Sequence, residues 1–324
     1  MESRSLTLTL GPSADRRRPL ALTPAEDLVG FISSHVGRAV LFLITATSVL
    51  AVLLILLFVI LRSVPFLRDF GVGEFLTSRL WRPTADEPVF GALTLIVGSL
   101  YVSIAALLFA VPVGILAAVF LSDILSWKIR NVAKPVVEIL AAIPSVAYGF
   151  FAVLVLAPWM QRRFGFSTGT NALNASIILA VMALPTIISV AEDAISALGR
   201  ELREASYSLG ATRLETMVKV VIPAAHSGII AAVVLGMMRA IGETMVVWMA
   251  SGNATQIPHP WWDLSQSIRT MTATIAGEMG EAPEGMPHRS ALFAVGVVLL
   301  LMTFMLNIVS EYFLSRAKKA AGKS

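Results

Sequence analysis

The sequence contains no cysteine, which excludes a disulfide framework, a thiol nucleophile and a zinc–thiolate site. Histidine is almost as scarce. His35, His226, His259 and His288 lie far apart, with no His-x-x-x-His pair and no Glu-x-x-His, so no metal site is expected and each reads as an interfacial or loop residue. Charge is the third shortage: Asp, Glu, Lys and Arg make up 14% of 324 residues against 56% hydrophobic residues, and the mean hydropathy is +0.78. A soluble domain of this length cannot enclose that much apolar surface, whereas lipid accepts it directly. The chain is read as an integral membrane protein. Its net charge of +4 does not point to nucleic acid, because the basic residues are dispersed among short loops and termini. A Gly-x-x-x-x-Gly-Lys-Ser/Thr loop to cradle nucleotide phosphates is also missing; the terminal Gly322-Lys323-Ser324 has Ala317 where the first glycine belongs. No cofactor is expected in this chain, and energy must come from a partner or from an ion gradient.

What the sequence does have is long apolar runs. Ala39 to Leu61 carries no charge and is long enough to cross a hydrocarbon core of roughly 30 Å. Leu93 to Leu121, Val136 to Trp159, Ala172 to Ala191, Ser227 to Ala250 and Ser290 to Leu314 follow, giving six expected spans. Lys and Arg number 5, 3, 4 and 4 in the N-terminal segment and the second, fourth and last polar segments, against 4, 2 and 2 in the intervening loops. That asymmetry places both termini in the cytoplasm. Pro112, Pro144 and Pro185 fall inside three consecutive spans, and each frees a carbonyl four residues earlier that lipid cannot satisfy. Ahead of the first span, residues 1 to about 22 read as a tail, and Thr23-Pro24-Ala25-Glu26 as a helix start, either of a short interfacial helix or of an extension of the span. The loop 251–289 shows Trp261-Trp262 and then Leu264, Ile268, Met271 and Ile275 at helical spacing, the pattern of a helix lying on the membrane or on neighbouring spans.

Between the fourth and fifth spans the polar chain stays patterned. Good helix formers run to Leu209, Gly210 supplies a stop, Thr212-x-x-Glu215 restarts as a capping box, and Pro223 ends the second segment. Two short helices meeting at a glycine are expected there, in a loop far longer than two spans need. In the fifth span Arg239 and Glu243 lie four residues apart, near mid-depth. A charge at that depth costs roughly 2.5–3.5 kcal/mol on insertion scales, so the pair is expected to share an inward helix face and partly neutralise itself. A small-residue row, Gly228, Ala232, Gly236 and Ala240, runs beside them and permits close approach of another helix. Two readings stand for the pair: an ion pair that only holds helices together, or an anion path in which the guanidinium fork receives an oxyanion. Glu138 in the third span is a second acid, either a partner for Arg239 or an interfacial residue.

Glu204-Ala205-Ser206, Gly210 and Val220-Val221-Ile222-Pro223 resemble, at the same spacing, the Glu-Ala-Ala…Gly…Ile-x-Leu-Pro signature of ABC importer permeases. The departures, Ser206 for Ala, Val220 for Ile and Ile222 for Leu, are small or isosteric. By that resemblance the loop is a coupling helix, with Glu204, Ala205, Ser206, Gly210 and Pro223 facing an ATPase subunit. Arg239-Ala240-Ile241-Gly242-Glu243-Thr244, the run from Glu138 through Pro144-Ser145 to Gly149, and Phe90-Gly91-Ala92-Leu93 are similar to elements of the bacterial high-affinity phosphate importer, its C-type (PstC) permease more than its A-type. The resemblance implies a heterodimer with an A-type permease, two copies of a cytoplasmic ATPase and an extracytoplasmic phosphate-binding protein, with Arg239, Glu243, Thr244, Glu138 and Ser145 along the substrate path.

The expectation is an all-α polytopic protein of type I ABC importer permease fold in a bacterial inner membrane. It has a cytoplasmic tail and short helix over 1–38, a permease domain over 39–314 that includes the coupling loop 192–225, and a basic tail over 315–324. Its expected role is a transport subunit for inorganic phosphate rather than an enzyme. The alternatives are a permease for another oxyanion such as sulfate or molybdate, because an arginine fork does not choose among them, and an ion-driven secondary transporter or channel.

Overall fold

The computed structural model describes residues 24–320; the expected tail over 1–22 and the cap at Thr23 lie outside them. Two compact units meet in sequence at Leu57 and Phe58. The first is dominated by the long helix α1, Pro24–Phe70, which begins at the expected proline and continues without interruption into the first span. Its side chains, Leu41, Phe42, Leu53 and Ile55 among them, are apolar and exposed, as suits a helix surrounded by lipid.

The second unit holds the rest. A turn of helix, α2, Val72–Thr77, and an antiparallel ribbon, β1 (Trp81–Arg82) on β2 (Val89–Phe90), fold the outer loop after α1 around aromatic rings. Phe66 lies edge-on to Phe75 and to Phe90 with centroids 5.3 Å apart in each case, and Trp81 lies edge-on to Phe90 at 5.8 Å. The aromatics of 62–92, uninformative as a pattern in sequence, are the core of this cap, where such pairs contribute about 0.5–1.5 kcal/mol each beyond their burial.

Helix α3, Leu93–Val119, ends in a π-helical turn at Phe120–Ile124. Then α4, Trp127–Ala142, stops at Ile143 and α5, Ser145–Phe151, starts on a new axis, continuing through a π-helical turn into α6, Ala157–Phe164. The two arms are bent by 86°. Pro144 accounts for the bend: it lacks an N–H and drives Ile143 to an extended conformation (ψ 128°). The carbonyl it frees, that of Leu140, accepts a hydrogen bond from Tyr148 Oη at 2.9 Å. Pro112 and Pro185, in contrast, stay inside continuous helices, α3 and α7 (Ala172–Ser196). The expected third span, Val136 to Trp159, is therefore a bent pair whose first arm begins nine residues earlier than its apolar run, at Trp127.

After α7, Gly199 (φ 69°) turns the chain into α8, Glu201–Ser208, and Gly210 (φ 83°) turns it into α9, Arg213–Thr216. The expected capping box is formed: Thr212 Oγ1 accepts from Glu215 N, and the Thr212 N–H donates to Glu215 Oε2 at 3.0 Å. A π-helical turn and α10, Ile222–Ala224, carry the helical path past Pro223, so the chain bends at Ala225 rather than at the proline, by 71°, into α11, His226–Gly242. Pro223 sits in the first turn of α10, where its missing N–H costs nothing. Beyond α11 come α12 (Met245–Ala250), the buried helix α13 (Met271–Glu278) and α14 (Pro287–Ala320). Among the described residues four helices are long and apolar enough to cross a membrane, or up to six if each bent pair is one span.

The loop between α12 and α13 departs from its expectation. Only Met271 and Ile275 of the predicted stripe are helical; Leu264 lies in a turn and Ile268 pairs with Gly252 in a bridge. The Ile268 N–H donates to the Ser251 carbonyl at 2.9 Å, and Asp263 accepts from Ser265 and Gln266. These local polar closures outweigh a helical apolar pattern over a stretch containing two turns. The Ser265 hydroxyl and then the Gln266 amide hold the Asp263 carboxyl below its ordinary range.

The Thr212 backbone N–H and then its hydroxyl likewise lower the Glu215 pKa, with Lys219 adding to the effect. A carboxylate with a depressed folded-state pKa adds stability above its unfolded value near 4.5 and loses it as pH falls through the lower folded value. Replacing Thr212 with Ala should return the Glu215 titration, followed by carboxyl carbon NMR, toward the ordinary glutamate value and flatten the acid sensitivity of the loop helix.

Candidate functional site

The fifth span does not run straight through its charged residues. Helix α11 stops at Gly242, Glu243 is extended (ψ 133°), Thr244 is irregular, and α12 resumes at Met245. Glu243 closes the last turn of α11, its N–H 3.5 Å from the Ala240 carbonyl, and the chain leaves the helix axis after it. Among the described residues no ion pair joins Arg239 to Glu243 or to Glu138, which corrects the expected self-neutralised pair. Arg239 is half-buried, and its Nε is buried without a hydrogen-bond partner among the described residues. A donor left so costs about 1–3 kcal/mol or more when charged, and an anion relieves it.

The break is held from outside. Thr272 Oγ1, on α13, donates to the Glu243 carbonyl at 2.9 Å and lies 3.2 Å from Thr270 Oγ1. Ser99 Oγ, on α3, accepts from the Met271 N–H at 2.9 Å. With Ser103 these hydroxyls and Glu243 enclose a cavity of about 10 Å³, room for one water. The pattern reading missed this cluster. Its signal was present, as Ser99-x-x-x-Ser103 on one face of an apolar span and Thr270-x-Thr272-x-Thr274 opening α13.

The small-residue row performs the expected packing. A Cβ on Gly236 would lie 2.6 Å from Ile187 of α7, one on Gly114 of α3 would lie 2.7 Å from the same isoleucine, and one on Gly228 would collide with Ala194. Ala232 and Ala240 are buried beside them. Ile187 is thus gripped between glycines of two helices, and α3, α7 and α11 approach too closely for any larger side chain.

The remaining expected residues scatter. Thr244 sits in the break, its hydroxyl 3.4 Å from the Gly242 carbonyl. Ser145 begins α5 past the bend, half-buried. Glu138 is exposed on α4, in a groove with Trp127, Arg130, Asn131, Lys134 and Pro135. On the loop, Glu204, Ala205 and Gly210 are exposed, with Leu209 at 90% and Leu214 at 73%, whereas Ser206 is buried and bonds Thr216 Oγ1 at 2.8 Å. Ser206 holds α8 against α9 and is not available to a partner's surface, and it supplies a hydroxyl that an alanine there would lack.

Two ionic clusters had no counterpart in the sequence reading. Glu192 of α7, 1% exposed, accepts from Arg130 and from Lys134 Nζ (2.7 Å), both on α4. Glu278 of α13 accepts from Arg269 (2.8 Å) and Trp81 Nε1 (3.0 Å) and meets His288 at 2.8 Å. The partners of Glu192 lie 62 and 58 residues away and Trp81 lies 197 from Glu278, separations that periodicity cannot register.

Broken apolar spans around a half-buried arginine, with an exposed two-helix loop feeding the broken span, define a membrane permease. The chain belongs to the family described as binding-protein-dependent transport system inner membrane component, whose model matches residues 110–319. It is 39% identical over 281 residues to the probable ABC transporter permease protein YqgH of Bacillus subtilis, covering 85% of this chain and 90% of that one. It is 36% identical to the phosphate transport system permease protein PstC of Mesorhizobium japonicum, covering 79% and 82%, and 32% identical to PstC of Haemophilus influenzae, covering 87% and 93%. A chain of a bacterial alginate ABC transporter superposes with a TM-score of 0.61 at 16% identity, over 89% of this chain and 98% of that one. A chain of the MetNI methionine ABC transporter does so at 0.54 and 18%, over 68% and 93%. The fold is that of type I ABC importer permeases, and the chain is an inner-membrane ABC importer permease subunit rather than an enzyme.

Replacing Gly236 with Leu should lower thermal stability in detergent by several degrees, because Ile187 has nowhere to move. Ala at the same position should fall between, and equal stability of all three proteins would show that Ile187 is not gripped.

Proposed function

We propose that this permease carries inorganic phosphate, forming half of an alternating-access path with a homologous A-type permease. Two copies of a cytoplasmic ATPase would bind ATP and Mg, and an extracytoplasmic phosphate-binding protein would deliver the cargo. The observation that carries the reading is Arg239, a half-buried guanidinium with an unspent Nε donor at the last turn before the break in the fifth span. A planar fork suits an oxyanion, and the PstC relatives favour phosphate among oxyanions. At the break the hydroxyls of Ser99, Ser103, Thr270 and Thr272 line a cavity of about 10 Å³, closed to anything larger than water. In this reading both termini and the loop 192–225 face the cytoplasm. Exposed Leu209 and Leu214 on either side of Gly210 are the apolar contacts a groove on the ATPase would take up, and the helical path from α9 to α11 carries loop motion to Arg239.

Replacing Arg239 with Gln should abolish phosphate uptake in proteoliposomes or whole cells while the assembled complex still purifies; normal uptake would remove the residue from the path. Adding excess sulfate or molybdate should leave uptake unchanged if phosphate is the cargo. At Gly210, where φ is 83° and a Cβ meets nothing within 4 Å, the obstacle is backbone strain rather than space. Gly210→Val should therefore cost roughly 1–3 kcal/mol locally and uncouple ATP hydrolysis from uptake, while Gly210→Asn, which tolerates that conformation, retains most of the coupling.

A further inference from the structure

The inner ends of α3, α4 and α7 and the loop helices α8 and α9 surround a cavity of about 350 Å³ lined by four arginines, Arg130, Arg200, Arg203 and Arg213. Two of the four are neutralised. Arg203 binds Asp123 through Nε at 2.6 Å and Nη2 at 3.3 Å and donates to the Ile195 and Gly199 carbonyls, so its guanidinium is fully engaged. Arg130 donates to Glu192 and, at 2.7 Å, to Ser196 Oγ. Arg200 and Arg213 make no ion pair and no side-chain hydrogen bond among the described residues, and the acids nearest in sequence, Glu201 and Glu215, do not line the cavity. Glu215 is engaged with Thr212 and Lys219. The phenol of Tyr207 opens on the same space, with no partner among the described residues.

Arg200 and Arg213 are both exposed and line the same open cavity without an acidic partner, so an anion there can take charge-assisted hydrogen bonds from both. We infer that this cavity is an inner-face binding site for a phosphoryl anion, held by Arg200, Arg213 and Tyr207 on a frame fixed by the Arg203–Asp123 pair. Free inorganic phosphate and the headgroup of an anionic phospholipid offer the same chemistry at this depth. The cavity joins the ends of α3 and α7 to both loop helices, so its occupant ties the loop to the spans and stabilises one loop position. The site controls the moving part and is separate from the membrane path of Arg239. It goes beyond the proposed cargo and does not depend on it.

The test uses the full-length chain without other subunits, so that no nucleotide site competes, in nanodiscs of either phosphatidylcholine alone or phosphatidylcholine with phosphatidylglycerol. Binding of radiolabelled orthophosphate and, by native mass spectrometry, retention of phosphatidylglycerol are measured for wild type, Arg200→Gln/Arg213→Gln, Arg239→Gln and the three substitutions combined. In phosphatidylcholine discs the orthophosphate binding that remains in Arg239→Gln should weaken at least about tenfold when Arg200→Gln/Arg213→Gln is added to it, the loss of one or two charge-assisted hydrogen bonds. If the natural occupant is a headgroup, wild type in mixed discs retains phosphatidylglycerol, excludes orthophosphate from the site, and loses the lipid in the double variant. Should the double variant fail to fold, Tyr207→Phe, which removes a hydroxyl and no charge, should still weaken binding severalfold. Unchanged orthophosphate binding and lipid retention in folded variants would overturn the site and leave the arginines to a contact with the ATPase. Binding lost only in Arg239→Gln would also overturn it, while leaving the proposed function standing.

Discussion

Hydrocarbon offers a backbone carbonyl nothing to bond with, and the two broken spans of this protein are built around that refusal. At Pro144 the freed Leu140 carbonyl is met by the Tyr148 hydroxyl, from the far side of the bend. At the Glu243–Thr244 break the Glu243 carbonyl is met by the Thr272 hydroxyl, from another helix. The first break is closed locally and can form as soon as α4 and α5 exist. The second needs α13, which must itself be seated against α3 through the bond between Met271 N and Ser99 Oγ. The place where the span may break is thus set by tertiary structure.

Close packing supplies the rigid part against which those breaks are defined. Gly114, Gly228 and Gly236 leave room for Ile187 and Ala194 and for little else. Helices α3, α7 and α11 therefore form one block, with the Glu192, Arg130 and Lys134 cluster at the C-terminal end of α7. A buried carboxylate between two cations resists separation of α4 from α7, since losing either partner leaves a charge poorly solvated. Breaks in the helical path, at Ile143–Pro144, Gly199, Gly210, Ala225 and Glu243–Thr244, lie between these elements and their neighbours.

Much of this was legible in the sequence. The apolar runs, the glycine row, the Thr212–Glu215 box and the glycine stop at 210 each act within a few residues, so local chemistry decides them, and the structure follows them. Pro144 shows where local reading stopped short. The same rule applied to Pro112, Pro144 and Pro185 alike, yet only the middle one breaks its helix, because a neighbouring tyrosine is placed to receive the free carbonyl. Arg239 and Glu243 mark a different failure. Their spacing fits one helical turn, but they form no ion pair among the described residues, and the helix ends at Glu243, whose carbonyl is taken by Thr272, twenty-nine residues away. The Glu192 and Glu278 clusters were out of reach for the same reason: their partners come from distant segments, and a single sequence carries no record of such pairings.

The lacing of the outer loop has a mechanical side. Ser251 is tied to Ile268, Ser99 to Met271, and Thr272 to the Glu243 carbonyl, while Trp261 and Trp262 stand exposed at the loop's crest. A load applied there passes through these bonds to the peptide group that ends α11, four residues beyond the half-buried Arg239.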